Sequence, residues 1–445
     1  MADALRRLHP VRLILIAFTM AVWTGVGLLM LPIARRGPGG ASFLEAFFTA
    51  TSAICVTGLV TVDTATYWTP FGQVVIIALI QIGGLGVMLL ATIIAMAVLG
   101  KLSMRSRLAT ATEVHAEGAG GIRSVVFGVF RTTMLVEGIA ATILTLRWWL
   151  GGDLPLPKAL WHGLFHAVSS FNNAGFALYS DNMMGFVDDP WVSLTLAGAT
   201  ILGGLGFPVL HQLARHRLTI RRWAMNTRLV VVMSVLLLVS GTIYITSLEW
   251  ANPKTLGALA PADRVLAGFF HAVQVRTSGF NSLDIGQFHP ATLVGMDVMM
   301  FIGGGPAGTA GGIKVTTFAV LFFIIWAEVR GDTAVHVFGK RLSRAVHRQA
   351  ISVALLAVAL VVGCTIAIMV ASGRGLDAVL FEVISAFATV GLSTGITAQL
   401  DPFSQTVLCV LMYLGRLGPF TFASALALRT RHRLYELPKE RPIIG

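Results

Sequence analysis

Apolar runs of two lengths alternate along most of this 445-residue chain, separated by short polar connections. The longer runs fall at about 11–33, 71–99, 124–150, 191–213, 226–248, 291–329, 350–372 and 403–428, and the shorter at about 42–55, 158–171, 263–275 and 377–388. Crossing a bilayer takes ~20 residues of helix, so the longer runs predict eight spans. At ~1.5 Å per residue a shorter run reaches less than about two-thirds of the ~30 Å hydrocarbon core, and must enter and leave on one side. The order span, short helix, span recurs four times, over 1–100, 101–215, 216–345 and 346–430, leaving 431–445 as a tail. Internal repetition of this kind decides the architecture. It predicts an all-α polytopic membrane protein, with eight transmembrane helices and four re-entrant pore helices around one pore.

Each short run closes on a small polar tripeptide ending in glycine: Val56-Thr57-Gly58, Asn173-Ala174-Gly175, Thr277-Ser278-Gly279 and Thr389-Val390-Gly391. The glycines are 117, 104 and 112 residues apart. Non-helical backbone at membrane depth is tolerated only inside protein or beside a water-filled cavity. Four such segments around one axis predict a ring of backbone carbonyls that replaces the hydration shell of a monovalent cation. The short helices would aim their negative C-terminal ends at that cation. Six residues before the glycine stand Ser52, Ser169 and Ser385, whereas the third unit has Val273 there and Gln274 beside it. His166 and His271 follow Phe165 and Phe270 in near-equivalent places, where packing competes with a proton-relay role.

The second spans repeat as well. Gly83-Gly84-Leu85-Gly86 recurs as Gly203-Gly204-Leu205-Gly206, Gly303-Gly304-Gly305-Pro306 and Gly415-Arg416-Leu417-Gly418. In the first two, small residues for close helix packing suffice as an explanation. The third continues through Ala307, Gly308, Thr309, Ala310, Gly311, Gly312 and Ile313 to Lys314. Glycine costs about 1 kcal/mol and proline about 3 relative to alanine in a helix, so this stretch predicts a break inside the membrane. A phosphate-binding loop needs Gly-Lys-Ser/Thr in sequence after a strand; here Gly312-Ile313-Lys314-Val315 follows a helix-length apolar run. Arg416 replaces the second glycine of the motif. A charge at that depth faces a cavity or a partner, and the free carbonyls of the broken loop are the partners the sequence offers. Lys314 lies nearer the cytoplasmic end and is expected to snorkel.

Glu137, inside the third of the longer apolar runs at 124–150, is a functional candidate without a nameable partner. Asp63, Asp181, Asp284 and Asp401 follow the four glycines by 5, 6, 5 and 10 residues, either to enrich cations at the outer mouth or as plain loop carboxylates.

Composition fits this picture. Hydrophobic residues make up 55% of the chain and charged residues 12%, with a mean hydropathy of +0.78. A soluble domain carries about 25% charged residues. The net charge of +12 does not indicate nucleic acid, because the basic residues cluster at alternate connections. Those clusters include Lys101, Arg105 and Arg107; Arg215, Arg217, Arg221, Arg222 and Arg228; Lys340, Arg341, Arg344 and Arg348; and Arg429, Arg431 and Arg433. The positive-inside rule then puts both termini in the cytoplasm. Arg6, Arg7 and Arg12 at the start of the first run, followed at once by repeat sequence, favour a retained span over a cleaved signal. Cys55, Cys364 and Cys409 are far apart and form neither a disulfide framework nor a metal spacing. No concentrated acid, base or metal cluster suggests an enzyme.

The four filter glycines, the glycine-rich interruption, the arginine of the fourth unit and the terminal Pro442-Ile443-Ile444-Gly445 together resemble the Trk/Ktr/HKT superfamily of potassium transporters, most closely the KtrB-type bacterial membrane subunit. The resemblance implies K⁺ uptake across the bacterial inner membrane, often Na⁺-stimulated, by a lipid-embedded homodimer with one pore per protomer. It also implies a cytoplasmic nucleotide-binding regulator, an RCK ring of the KtrA type. Under it, Gly303, Gly304, Gly305, Gly308, Thr309, Ala310, Gly311, Gly312 and Lys314 match the intramembrane gate, Arg416 its contact, and Gly445 a residue of the dimer interface. The expected mechanism is passive K⁺ permeation. A secondary transporter coupled to H⁺ or Na⁺ through Glu137 or the histidines is the alternative.

Overall fold

The computed structural model describes residues 10–100, 121–217 and 219–418, with backbone only at 10–14, 87–100 and 121–125. Arg105, Arg107 and Gly445, and the tail from residue 419 onward, lie outside the described residues.

Four helical units follow one another. The first comprises α1 (Pro10–Leu29), the short α2 (Phe43–Ile54) and α3 (Pro70–Gly100). The second has α4 (Gly121–Leu150), the short α5 (Leu156–Phe171), α6 (Pro190–Leu205) and α7 (Phe207–His216). The third has α8 (Met225–Glu249), the short α9 (Pro261–Gln274), α10 (Pro290–Phe301) and α11 (Val315–Val329), and the fourth has α12 (Arg344–Ser372), the short α13 (Leu376–Ala388) and α14 (Pro402–Leu417). Among the described residues, Val126–Leu150, Met225–Glu249 and Arg344–Ser372 are each long and apolar enough to cross a bilayer, and α6 with α7 makes a bent fourth.

Local sequence sets the boundaries. Every second span starts on proline (Pro70, Pro190, Pro290, Pro402), whose missing N–H costs nothing at the first helical turn. Asp189 and Asp401 cap two of these starts, accepting from Trp191 N and Val192 N and from Ser404 N. The short α2 begins with a capping box between Ser42 and Glu45. Each short helix ends within three residues of the start of its tripeptide.

The units pack with their polar residues inward. Leu355, Val370 and Phe127 are exposed on the outer faces of α12 and α4, whereas Thr57, Asn173, Thr277, Thr309 and Thr389 are fully or almost fully buried. This is the arrangement a bilayer imposes, because lipid accepts apolar side chains and rejects unsatisfied polar ones.

Two features depart from the expected layout. The run at 191–213 is not one span: α6 and α7 meet at a bend of 100°. Gly206 adopts φ 89°, which glycine takes without strain, and Pro208 lacks the N–H that would have bonded Gly204 O. The third unit's second span breaks between α10 and α11, where its glycine-rich stretch predicts it. A small antiparallel hairpin also joins α11 to α12, pairing His336 with Arg341 and Val337 with Lys340. Its turn residues Phe338 and Gly339 have φ 49° and 77°, both in the left-handed region that a two-residue hairpin of this twist demands.

Candidate functional site: a ring of four tripeptides above a broken span

The four tripeptides meet. A Cβ built on Gly58 would stand 2.2 Å from the Ala174 carbonyl oxygen, one on Gly175 2.3 Å from Ser278 O, one on Gly279 2.4 Å from Val390 O, and one on Gly391 2.0 Å from Thr57 O. Each glycine therefore faces the middle carbonyl of the next unit, and the fourth returns to the first. The contacts form a closed ring in chain order.

Backbone conformation repeats around that ring. The leading residues Val56, Asn173, Thr277 and Thr389 have φ 55°, 59°, 73° and 50°, and the glycines 91°, 69°, 82° and 92°. Left-handed backbone at three non-glycine, non-asparagine residues is strained, and persists only where the surroundings enforce it. Here the enforcement comes from the short helices. Thr57 N donates to Ser52 O at 2.8 Å, Ala174 N to Ser169 O at 2.7 Å, and Val390 N to Ser385 O at 2.8 Å. The Ser52 and Ser385 hydroxyls accept from Gly58 N and Gly391 N at 3.1 and 3.0 Å, whereas Ser169 Oγ donates to Phe176 O. The third unit is one residue out of step, with Ser278 N bonded to Gln274 O at 3.0 Å. The buried Gln274 carboxamide has no hydrogen-bond partner among the described residues.

A second layer braces the segments after the ring. His166 Nε2 accepts from Leu178 N at 3.2 Å, and His271 Nε2 pairs with Ser282 Oγ at 3.3 Å, each three residues beyond a ring glycine. In the fourth unit Glu382 takes this place, nine residues before Gly391 as His166 is before Gly175. Its carboxylate accepts from Ser393 Oγ, Thr394 N and Thr397 Oγ1. The shared offset was the available signal, hidden by the change of residue type. Glu249, fully buried, ties the end of α8 to the start of α10 by accepting from Thr292 Oγ1, His289 N, Thr255 Oγ1 and Asn252 Nδ2. Glu137 has partners too: Gln81 Nε2 at 3.2 Å and Asn172 Nδ2 at 3.0 Å, which link three helices behind the second tripeptide.

The repeated glycines of the second spans allow close approach. Cβ atoms on Gly83, Gly203 and Gly415 would lie 2.0, 1.9 and 1.7 Å from Ile54 O, Phe171 O and Phe387 O, near the ends of the three corresponding short helices.

Between Phe301 and Val315 the chain forms a loop whose neck is tied by its own backbone. Ile302 pairs with Ile313, Gly303 N donates to Ile313 O at 2.8 Å, and Val315 N to Gly304 O at 3.0 Å. The loop occupies the groups freed by the bend at Gly206. Gly305 N donates to Gly204 O at 2.8 Å, Thr309 N to Gly203 O at 3.2 Å, and Phe207 N to Ala307 O at 3.2 Å. Gly308 packs on the same carbonyls, and Gly311 and Gly312 press on Thr389 and Ala388 of the fourth unit. Arg416, buried, donates to Thr309 O and to Gly83 O, the latter at 3.1 Å. Lys314 does not snorkel outward: its Nζ turns back to the Ala310 carbonyl within the loop. Arg276, just before the third tripeptide, reaches Ser234 O at 3.3 Å and Gly303 O at 3.5 Å.

Asp63, Asp284 and Asp401 make hydrogen bonds within or between the connections. Asp63 accepts from Ser180 Oγ and Thr66 Oγ1 at 2.6 Å each, joining the loops of the first two units. Partial burial pushes its carboxyl up, but the hydrogen bonds from Ser180, Thr66 and the backbone outweigh that and hold it below the usual carboxylate range. Asp284 caps the turn at Gly286, and Asp401 caps α14.

A four-unit helical bundle in which re-entrant segments close a ring of backbone carbonyls, above an interrupted span, defines a membrane transporter for cations. The chain belongs to the TrkH family of cation transport proteins, matched over residues 28–431, and within the Trk/Ktr superfamily it is of the KtrB type. It is 38% identical over 435 residues to the Ktr system potassium uptake protein B of Vibrio alginolyticus, covering 98% of this chain and 94% of that one. Identity to the protein of the same name in Bacillus subtilis is also 38%, over 421 residues and 95% and 94% of the two chains. The potassium/sodium uptake protein NtpJ of Enterococcus hirae is 33% identical over 450 residues, 99% of this chain and 98% of that. The crystal structure of the potassium transporter TrkH from Vibrio parahaemolyticus superposes with a TM-score of 0.73 at 19% identity, covering 95% of this chain and 84% of that one, and so shares the fold.

Proposed function

We propose that this chain is a K⁺-uptake subunit that conducts K⁺ down its electrochemical gradient through the ring Val56–Gly58, Asn173–Gly175, Thr277–Gly279 and Thr389–Gly391. The single observation that carries this reading is the cyclic closure of the four tripeptides, each glycine against the next unit's carbonyl. Carbonyl rings of this kind replace a dehydrated ion's water shell. The relatives named as potassium uptake proteins over nearly the whole chain support the choice of K⁺.

The loop Gly303–Lys314 is the gate in this reading. It sits against the second unit by hydrogen bonds to Gly203, Gly204 and Phe171, and against the fourth by the Arg416 contact. A loop held by a handful of backbone bonds can leave where a continuous helix cannot. Arg416 latches it, and Lys314 braces it from within. The protein works as a homodimer in the bacterial inner membrane with both termini cytoplasmic, Gly445 at the dimer interface, and an RCK-type nucleotide-binding ring of the KtrA type releasing the loop. Na⁺ stimulation belongs to the same proposal, supported by the relative named as a potassium/sodium uptake protein.

The test is selectivity. Gly279→Ser places a side chain at φ 82° against Val390 O, 2.4 Å from its Cβ. In proteoliposomes this substitution should raise Na⁺ permeation relative to K⁺. An unchanged permeability ratio would remove the third tripeptide from the ion path.

A further inference from the structure

We infer that Asn173 couples the position of the gate loop to the cation selectivity of the ring, an inference that rests on the gate reading above. Thr309 is the most heavily bonded residue of the loop. Its N–H goes to Gly203 O and its carbonyl accepts from Arg416. Its fully buried hydroxyl donates to Asn173 Oδ1 at 2.9 Å and lies 3.2 Å from Phe171 O. Asn173 is itself the leading residue of the second tripeptide. Its Nδ2 donates onward to Thr277 Oγ1, the leading residue of the third, at 3.4 Å. Two side-chain hydrogen bonds thus run from the loop to two adjacent strands of the ring.

The other units lack this path. Val56 has no side-chain polar atom, and the buried Thr389 hydroxyl has no partner among the described residues. Asparagine suits the site for two reasons. It tolerates the left-handed backbone there (φ 59°) better than most residues, and its carboxamide can accept from one side while donating to the other.

When the loop leaves, Asn173 Oδ1 loses its donor in a buried setting. The carboxamide is then free to turn, Thr277 loses its own bond, and the third strand is less firmly held. That strand carries Ser278 O, which abuts Gly175. It is also the strand whose bonding is already one residue out of step with the others. Selectivity therefore falls as the gate opens.

The experiment measures K⁺ flux and the K⁺:Na⁺ flux ratio in proteoliposomes of the full chain and four variants. Thr309→Val removes the hydroxyl at nearly constant volume and leaves the carbonyl for Arg416. Asn173→Val installs the first unit's residue and removes both bonds. Each should lower the K⁺:Na⁺ ratio about three- to tenfold, the range set by the loss of one buried hydrogen bond. Thr309→Ser, which keeps the hydroxyl, should restore the ratio. Deleting residues 304–312 should raise K⁺ flux and lower the ratio by a similar factor.

A deletion that raises flux at the unchanged wild-type ratio overturns the coupling and leaves the gate standing. A deletion that leaves K⁺ flux unchanged overturns the gate reading and the coupling with it. Should one valine variant fail to assemble, an unchanged ratio in the other overturns the coupling.

Discussion

Gly391 and Thr57, at opposite ends of the sequence, are in backbone contact: a Cβ on Gly391 would lie 2.0 Å from the Thr57 carbonyl oxygen. This contact closes the ring, and nothing larger than a hydrogen fits in it. Gly395, four residues on, has nearly the same backbone (φ 91° against 92°) but open space where its Cβ would stand. Alanine at Gly395 therefore meets only the left-handed backbone cost of about 1–2 kcal/mol. Gly391→Ala meets that cost and a clash with fixed backbone. K⁺ uptake should be lost in Gly391→Ala and retained in Gly395→Ala, with both variants compared at equal membrane abundance. Equal loss in both would mean that backbone strain alone matters and that the ring contact does not.

The bend at Gly206 supplies carbonyls to the gate loop, so the two should fail together. A Cβ there would sit 2.5 Å from Pro306 O and would oppose φ 89°. Gly206→Ala should displace the loop and raise K⁺ flux. Trypsin access at Lys314, which bonds inward to Ala310 in the wild type, reports loop position independently of flux.

Glu382 holds the segment after the fourth tripeptide with a fully occupied carboxylate. Glu382→Ala leaves Ser393, Thr394 N and Thr397 without their buried acceptor, a defect worth about 3 kcal/mol or more. Glu382→Gln keeps one acceptor oxygen and should cost less. Thermal unfolding in detergent should rank wild type above Gln above Ala, with flux per folded molecule falling in the same order.

Asp63 gives the pH prediction. Its folded pKa is depressed, so the stability it contributes is present above the ordinary carboxylate value of about 3.9 and is lost as pH falls through the lower folded value. The difference in thermal stability between wild type and Asp63→Asn should be constant from pH 7 down to about 5 and shrink only at more acid pH. A difference that vanished between pH 7 and 5 would rule out the Ser180–Asp63 tie as its source.

The lengths of the apolar runs made the four-unit architecture legible, and the tripeptides made the candidate ring legible. Both depend on local residue spacing. The bend at Gly206 was written in Gly206-Phe207-Pro208, but the run stays apolar through it, and hydropathy carries no record of direction. The hairpin at Phe338-Gly339 lacks the usual asparagine–glycine signal. Lys314 misleads because an isolated lysine near a helix end ordinarily reaches water, and only the folded loop provides Ala310 O as a nearer acceptor. The partners of Glu137 come from contacts between residues distant in sequence, which no spacing rule encodes. The equivalence of Glu382 with His166 does lie in their shared offset from the glycine, but the change of residue type masks it.

The most direct test of the account is K⁺ flux into proteoliposomes containing this chain alone, with a membrane potential imposed by an ionophore and no proton or Na⁺ gradient. A carbonyl ring gated by the Gly303–Lys314 loop predicts K⁺-selective flux that follows the imposed gradient and increases when residues 304–312 are deleted. Flux that appears only when a proton or Na⁺ gradient is supplied would contradict it, and would make Glu137, with Gln81 and Asn172 around it, the centre of a coupled transporter.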